Sequence, residues 1–324
     1  MFWPYWLILF STACFANVLG LNISATFNSA KVIYILIPIL IIPQLLFSGV
    51  IVRFDRLHKS MVTEGEVSWV GNAMASRWAY EALAVEQYCN NAFNSRVFET
   101  DVQLKTLTWE KDFWVVEIRN QLNNWDKPNS TTNVELVKNE FAKRSDSSSE
   151  MKWATEQIGA NGLAARDTLL VVIGNYESNL IDRYNNLNES KENWLFSLRD
   201  TDEKQMAYQS DMDNYSNESL EEFVTAKNDV KKIVVTESAL VRKANPIYFL
   251  PNPGTSFFKS HFYSPKKWFG GKEGGKYVET PGANTLVIWL MTLLLLLLLL
   301  FDGMNKLANL YTFTIRKGTD KIAS

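Results

Sequence analysis

Apolar residues fill three stretches of the chain and thin out sharply between them. Phe2–Leu21 and Val32–Val52 are almost uninterrupted, and Thr285–Phe301 contains eight consecutive leucines, Leu293–Leu300. A helix needs about 20 mostly apolar residues to cross a hydrocarbon core about 30 Å thick. The first two stretches meet that length, and Ala283 and Asn284 lengthen the third. Lys31 is the only charged residue among the first 52. The pattern predicts three transmembrane helices at about 2–21, 32–52 and 283–303, with a short link between the first two.

The region between the second and third segments is polar. In Glu66–Tyr88 aromatic and aliphatic residues alternate with Arg77, Glu81 and Glu86. It is too polar to span alone. Its aromatic content suits a membrane interface, or a re-entrant element covered by protein, within residues 53–90; an ordinary surface helix fits the same spacing. Residues 91–282 read as a mostly helical domain. Leu104, Leu107, Phe113, Val116 and Ile118 recur at helical spacing through Asp101–Trp125, and Asn133–Lys143 continues the pattern. After the serine-rich break Ser145–Ser149, Gly162–Leu198 and Glu203–Ala239 form two long helical patterns, read as an antiparallel hairpin. Strand-like alternation is scarce, and Pro246–Pro281, rich in proline, glycine and aromatics, reads as an irregular return to the membrane. The fold class is therefore an all-α membrane protein: three transmembrane helices, a re-entrant or interfacial helical element and a large helical extracytoplasmic domain.

The segments differ in character. The second holds Pro38, Pro43, Gly49, Gln44 and Ser48; proline removes a backbone donor and kinks a helix, so this span is expected to face a bundle interior. Ser11, Thr12 and Asn17 give the first span groups that want interhelical partners, or serve as packing contacts only. The leucine run reads as a lipid-facing anchor. Lys306, Arg316, Lys317 and Lys321 follow it, which puts the tail, residues 304–324, in the cytoplasm by the positive-inside rule and the large polar region outside. Arg53, Arg56 and Lys59 argue the other way. A signal peptide is disfavoured for the first segment, because no basic residue precedes it. The odd number of spans and the abrupt apolar start fit a piece of something longer.

Composition narrows the function classes. Hydrophobic residues make up 47% of the chain, yet mean hydropathy is −0.12 and net charge is −2, which gives no electrostatic case for nucleic acid. Two cysteines, Cys14 and Cys89, and two histidines, His58 and His261, are too few for a metal cluster or a disulfide framework, and both histidines read as solvated or interfacial. Gly270, Gly275 and Lys276 match part of a phosphate-binding loop, but Tyr277 stands where Ser or Thr should hold magnesium, and no strand–loop–helix context surrounds it. The acidic residues read as solvated helix faces. No catalytic constellation stands out, so no catalytic residue and no metal site is assigned, and the chain reads as a non-enzyme.

Two stretches resemble the G-subfamily (White/pleiotropic-drug-resistance type) ATP-binding-cassette exporters. Phe47-Ser48-Gly49-Val50-Ile51-Val52 closes a span as in those permeases. Ser68-Trp69, and then Ser76-Arg77-Trp78-Ala79-Tyr80-Glu81-Ala82-Leu83, is similar to the re-entrant segment that follows. Asn22-Ile23-Ser24-Ala25, with Lys31 and Pro38 after it, is similar as well. The likeness covers residues 1 to about 90 and about 245 to 305. It implies that the three segments are the last three spans of a six-span permease of a bacterial branch, in the inner membrane, with the tail cytoplasmic. It also implies that Ile42 and Leu45 line a substrate path, that Val50 and Ile51 form a plug above it, and that Trp69, Arg77, Trp78, Tyr80, Glu81 and Leu83 belong to the re-entrant element. Implied partners are an ABC ATPase domain carrying ATP and magnesium, a second permease half, membrane lipid and an unidentified exported substrate. The chain itself holds no ATPase motif, its outer region is longer than in eukaryotic relatives, and its tail after Leu310 fits poorly. The competing expectation is a membrane-anchored sensor or interaction protein with no transport activity.

Overall fold

The computed structural model describes residues 2–27, 29–58, 60–125, 130–145, 148–301 and 303. The basic tail residues and Lys59, which enter the orientation argument, lie outside the described residues. The chain divides into two compact units: residues 1–87, 251–262 and 266–324, and residues 88–250 with 263–265.

The first unit begins with α1 (Phe2–Thr26) and α2 (Ala30–Leu46). Helix α1 runs five residues past the predicted end of its span, whereas α2 stops six residues early, at Leu46. At 1.5 Å per residue, α2 is about 25 Å long, shorter than a hydrocarbon core of about 30 Å. Two described helices are long and apolar enough to cross a membrane, α1 and the final helix; α2 is a shorter apolar helix. The reason is the Phe47-Ser48-Gly49 element. Ser48 Oγ donates to the Leu45 carbonyl at 2.7 Å and accepts from the Val50 N–H at 3.3 Å, so a side chain takes over the terminal hydrogen bonds. Gly49 then adopts φ +86°, where a Cβ would sit 2.7 Å from Phe262 and 2.8 Å from Phe54. Only glycine fits that turn.

Beyond the turn come the short α3 (Trp69–Asn72) and α4 (Ala75–Cys89). Ala75, Arg77, Trp78, Glu81, Ala82 and Val85 of α4 are all buried. A helix with an interfacial composition is thus enclosed by protein, the condition a re-entrant element needs.

In the second unit, α5 (Phe98–Trp109) and α6 (Val115–Asn123) are joined in one rod by a π-helical segment, Glu110–Trp114. Next come α7 (Ser130–Ala142), α8 (Ser149–Asn161) and α9 (Arg166–Ser197). Trp114, Ile118, Trp125, Phe141, Leu169 and Ile173 are the centre of the core. Helix α9 lies antiparallel to the rod, tied by Arg119 to Glu177 at one end and Lys191 to Asp101 at the other. The fully buried positions of α9 end at Leu180; beyond it Tyr184 and Leu187 are half-buried against the core and most other residues are exposed.

The expected second arm of a helical hairpin is broken. It consists of α10 (Asp202–Tyr215) and α11 (Glu218–Thr225), which starts on an Asn217 cap and stops at Ala226 in the left-handed conformation. Helix α10 reaches Arg96 through Asp211 at 2.5 Å and Phe93 through Tyr208. A two-stranded ladder follows, β1 (Ile233–Val235) with β2 (Leu240–Arg242), where helix was expected.

The return segment, Pro251 onward in the first unit, is more ordered than its composition predicts. It folds into an antiparallel pair, β3 (Lys266–Phe269) with β4 (Lys276–Glu279). The glycines that resemble a phosphate loop form the turn of this hairpin: Gly270 adopts φ +111°, and Lys276 opens a strand rather than a helix. The last helix, α12 (Thr280–Leu300), starts three residues before the predicted span. Helices α1 and α12 pack side by side in the same sense, since Phe10 meets Trp289 and Asn22 meets Leu295. Leu293, Leu294, Leu297 and Leu300 are exposed along α12.

Candidate functional site

Apart from Trp69, which lies on α3, the residues predicted as functional fall on two places in the first unit. One is the C-terminal end of α2 with the turn after it; the other is α4.

Helix α2 has no buried residue along its length. Ile42 and Leu45 are exposed on it, and Val50 and Ile51, at 38% and 62% exposure, lie in the turn after it. All four apolar candidates are thus exposed, two on α2 and two in the turn after it. The attachment of α2 to α4 is polar: Gln44 accepts at its carbonyl from Ser76 Oγ at 2.5 Å, and at Oε1 from the Ser76 N–H at 3.2 Å. An apolar crevice runs between α2, α1 and α12, lined by Phe15, Leu40, Pro43, Met74 and Met291.

On α4, Arg77 and Glu81 are one helical turn apart and both completely buried. Arg77 Nη2 lies 3.3 Å from Glu81 Oε2. The same oxygen accepts from Lys267 Nζ at 2.8 Å and from Asn284 Nδ2 at 2.7 Å. One carboxylate thus gathers α4, strand β3 and the start of α12. Burial alone would raise the Glu81 pKa, but the charges of Arg77 and Lys267, with the hydrogen bonds from Lys267 and Asn284, hold it below the ordinary carboxylate range. Burial, helped by the neighbouring Arg77 charge, pulls the Lys267 amine down to about 8 against the opposing pull of Glu81. The guanidinium lies 3.9 Å from the Trp78 ring, while its Nε and Nη1 have no hydrogen-bond partner among the described residues.

The other re-entrant candidates surround this cluster unequally. Trp78 is fully buried, donates from Nε1 to the Asn72 carbonyl at 2.9 Å and stacks on Phe257. Tyr80 stacks on Phe262, and Leu83 packs against the buried apolar cluster beside Ile8 and Ile288. Trp69 is exposed and joins none of them.

Lys267 and Asn284 escaped the sequence reading. Lys267 lies in a segment whose composition looks irregular, and Asn284 looks like a mere extension of a leucine-rich span. The reading of acidic residues as solvated faces fails at Glu81 and again at Glu140 of α7, both buried. In the second unit Glu140 accepts from Trp114 Nε1 at 2.9 Å and from the Leu240 N–H at 3.0 Å. The interhelical bond expected of Ser11, Thr12 or Asn17 is made instead by Asn22, which donates to the Leu295 carbonyl of α12 at 3.0 Å. Ser11 and Thr12 bond back to their own helix, and Asn17 is exposed.

Residues 1–88 match the family model described as ABC-2 type transporter. The matched stretch carries α1, α2, α3 and nearly all of α4, and so both candidate places. No curated protein and no solved structure matches the chain.

Proposed function

We propose that the chain is the permease part of an ATP-binding-cassette exporter of the G-subfamily, contributing its last three membrane segments. The observation that carries this reading is the ABC-2 match over residues 1–88, on the same residues that carry the Phe-Ser-Gly turn and the re-entrant helix. In this reading the chain sits in an inner membrane, with the large helical unit outside and the tail in the cytoplasm. The parallel sense of α1 and α12 agrees with that order, because α2 returns the chain between them.

An ATPase domain on another polypeptide segment hydrolyses ATP with magnesium, and a second permease half completes the pathway. Helix α2 is the element that meets the second half. It is apolar, it buries no residue within the chain, and one hydrogen-bonded contact, Gln44 with Ser76, ties it to α4. Ile42 and Leu45 then line the substrate path. Val50 and Ile51, held at a fixed turn by Gly49, close it from above. The exported substrate is apolar enough to cross between such side chains.

Disulfide trapping tests the arrangement. Cys14 and Cys89 are replaced by alanine, Leu45→Cys is introduced, and the full chain is oxidised in native membranes. A crosslink between α2 segments of two permease halves supports the reading. Absence of any crosslink from Ile42→Cys, Leu45→Cys and Val50→Cys alike contradicts it.

A further inference from the structure

The second unit contains a groove that membrane transport does not explain. It opens between α5 and the solvent-facing half of α9, with a volume of about 580 Å³, within the range of roughly 300–1,000 Å³ typical of small-molecule sites. Val102, Leu107 and Leu187 give it an apolar floor. Gln103, Thr106, Asn186 and Ser190 line its walls: Thr106 Oγ1 accepts from Arg242 Nη1 at 3.3 Å and keeps its proton to donate, and Ser190 Oγ donates to the Asn186 carbonyl at 2.9 Å and keeps its lone pairs to accept. Glu110 and Arg183 complete the groove.

The charges at this groove are unequal. Glu110 already binds two groups of its own unit: Arg144 Nε donates to its Oε1 at 3.1 Å and Tyr176 Oη to its Oε2 at 3.2 Å. Arg183 makes no hydrogen bond or ion pair among the described residues, although it lines the same groove. The groove therefore presents one uncommitted cation above a wall of amides and hydroxyls. The π segment begins at Glu110; single-turn π insertions inside α-helices occur frequently at functional sites, because they re-aim side chains without ending the helix.

We propose that this groove binds a hydroxylated organic anion: a carboxylate for Arg183, hydroxyl groups for Gln103, Thr106, Asn186 and Ser190, and a carbon skeleton over Leu107 and Leu187. A guanidinium–carboxylate contact is charge-assisted and stronger than a neutral hydrogen bond, so the anion sets the orientation. The neutral wall selects hydroxylated compounds over simple anions. The inference stands whether or not the first unit transports anything.

The test is calorimetric titration of the full chain in detergent with glucuronate, glucose and inorganic phosphate. Glucuronate is expected to give saturable one-site binding, with glucose and phosphate at least about tenfold weaker. Arg183→Gln should weaken glucuronate about tenfold or more, and Leu187→Trp, which fills the floor, should abolish the heat. Arg199→Gln, just beyond the same helix and outside the groove, should leave the affinity within about twofold. Arg183 is exposed, so unchanged far-ultraviolet dichroism serves as the folding control. The proposal is overturned by absence of saturable binding, by glucose or phosphate binding as tightly as glucuronate, or by equal losses in the Arg183 and Arg199 variants.

Discussion

Lys267 Nζ lies 2.8 Å from Glu81 Oε2, with both side chains completely shielded from solvent. The pair joins a helix near residue 80 to a strand nearly two hundred positions later. Arg77 shares the same carboxylate, so two cations balance on one anion. Breaking a buried pair by removing one partner costs about 3–5 kcal/mol, because the other charge is left without compensation. The two partners should not be equivalent here. Glu81→Gln leaves two buried cations together and is expected to cost about 3–5 kcal/mol. Lys267→Met leaves Arg77 matched with Glu81 and should cost clearly less. Thermal unfolding of both variants and the double variant in detergent gives the order; a larger loss for Lys267→Met would mean that Arg77 does not share the carboxylate.

The same lysine sets an alkaline signature. Its pKa falls from an ordinary 10.5 to about 8 in the folded chain, through burial first and the Arg77 charge second. The unfolded chain therefore binds the proton more tightly, and Lys267 contributes stability that increases with pH between about 8 and 10.5. The melting temperature of the native protein relative to Lys267→Met should rise across that window. A flat or falling difference would contradict the buried amine.

Glu140 makes the opposite statement at acid pH. Burial would raise its pKa, but the Arg144 and Lys143 charges, with hydrogen bonds from Lys143 and the Leu240 N–H, hold it below the ordinary 4.5. Its contribution is fully present above about 4.5 and is lost as pH falls through the lower folded value. Near-ultraviolet dichroism of the core tryptophans, followed from pH 6 downward, should show acid loosening of the second unit. Glu140→Gln should be less stable at pH 6 and should lose less on acidification.

Gly49→Ala probes the turn that ends α2. A Cβ would meet Phe262 at 2.7 Å and Phe54 at 2.8 Å, at φ +86°. Strain of this kind costs about 1–3 kcal/mol. Gly20→Ala, where nothing lies within 4 Å, is the control and should be neutral or slightly stabilising. Thermal stability in detergent separates the two, and equal effects would remove the special role of the Phe-Ser-Gly turn.

Much of this architecture is legible from one residue to the next. The α1 and α12 segments follow from the length of their apolar runs, and the Asp101–Trp125 rod and the first arm at α9 follow from apolar spacing, because one face of each meets a core. What escapes is set by partners distant in sequence. The Phe-Ser-Gly element reads as the close of a span, yet Ser48 captures the Leu45 carbonyl and shortens α2 to 17 residues. The β3–β4 pair has strands of four residues each, too short to show alternation above a glycine-rich turn. Burial of Glu81 is invisible locally, because Lys267 and Asn284, which neutralise and bind it, lie about two hundred positions away. The long second arm fails because its charged spacing carries no stop signal until Asn217 caps a new helix and Ala226 ends it.

In the proposed permease, α2 and the turn after it couple to an ATPase. The chain is purified with its associated proteins from native membranes, and vanadate-sensitive ATP hydrolysis is measured alongside export in reconstituted vesicles, for the native protein and for Val50→Ala with Ile51→Ala. ATP hydrolysis is expected to accompany the chain, and the double variant to change the ratio of export to hydrolysis severalfold. Absence of associated ATP hydrolysis, or an unchanged ratio in a folded double variant, would contradict that coupling.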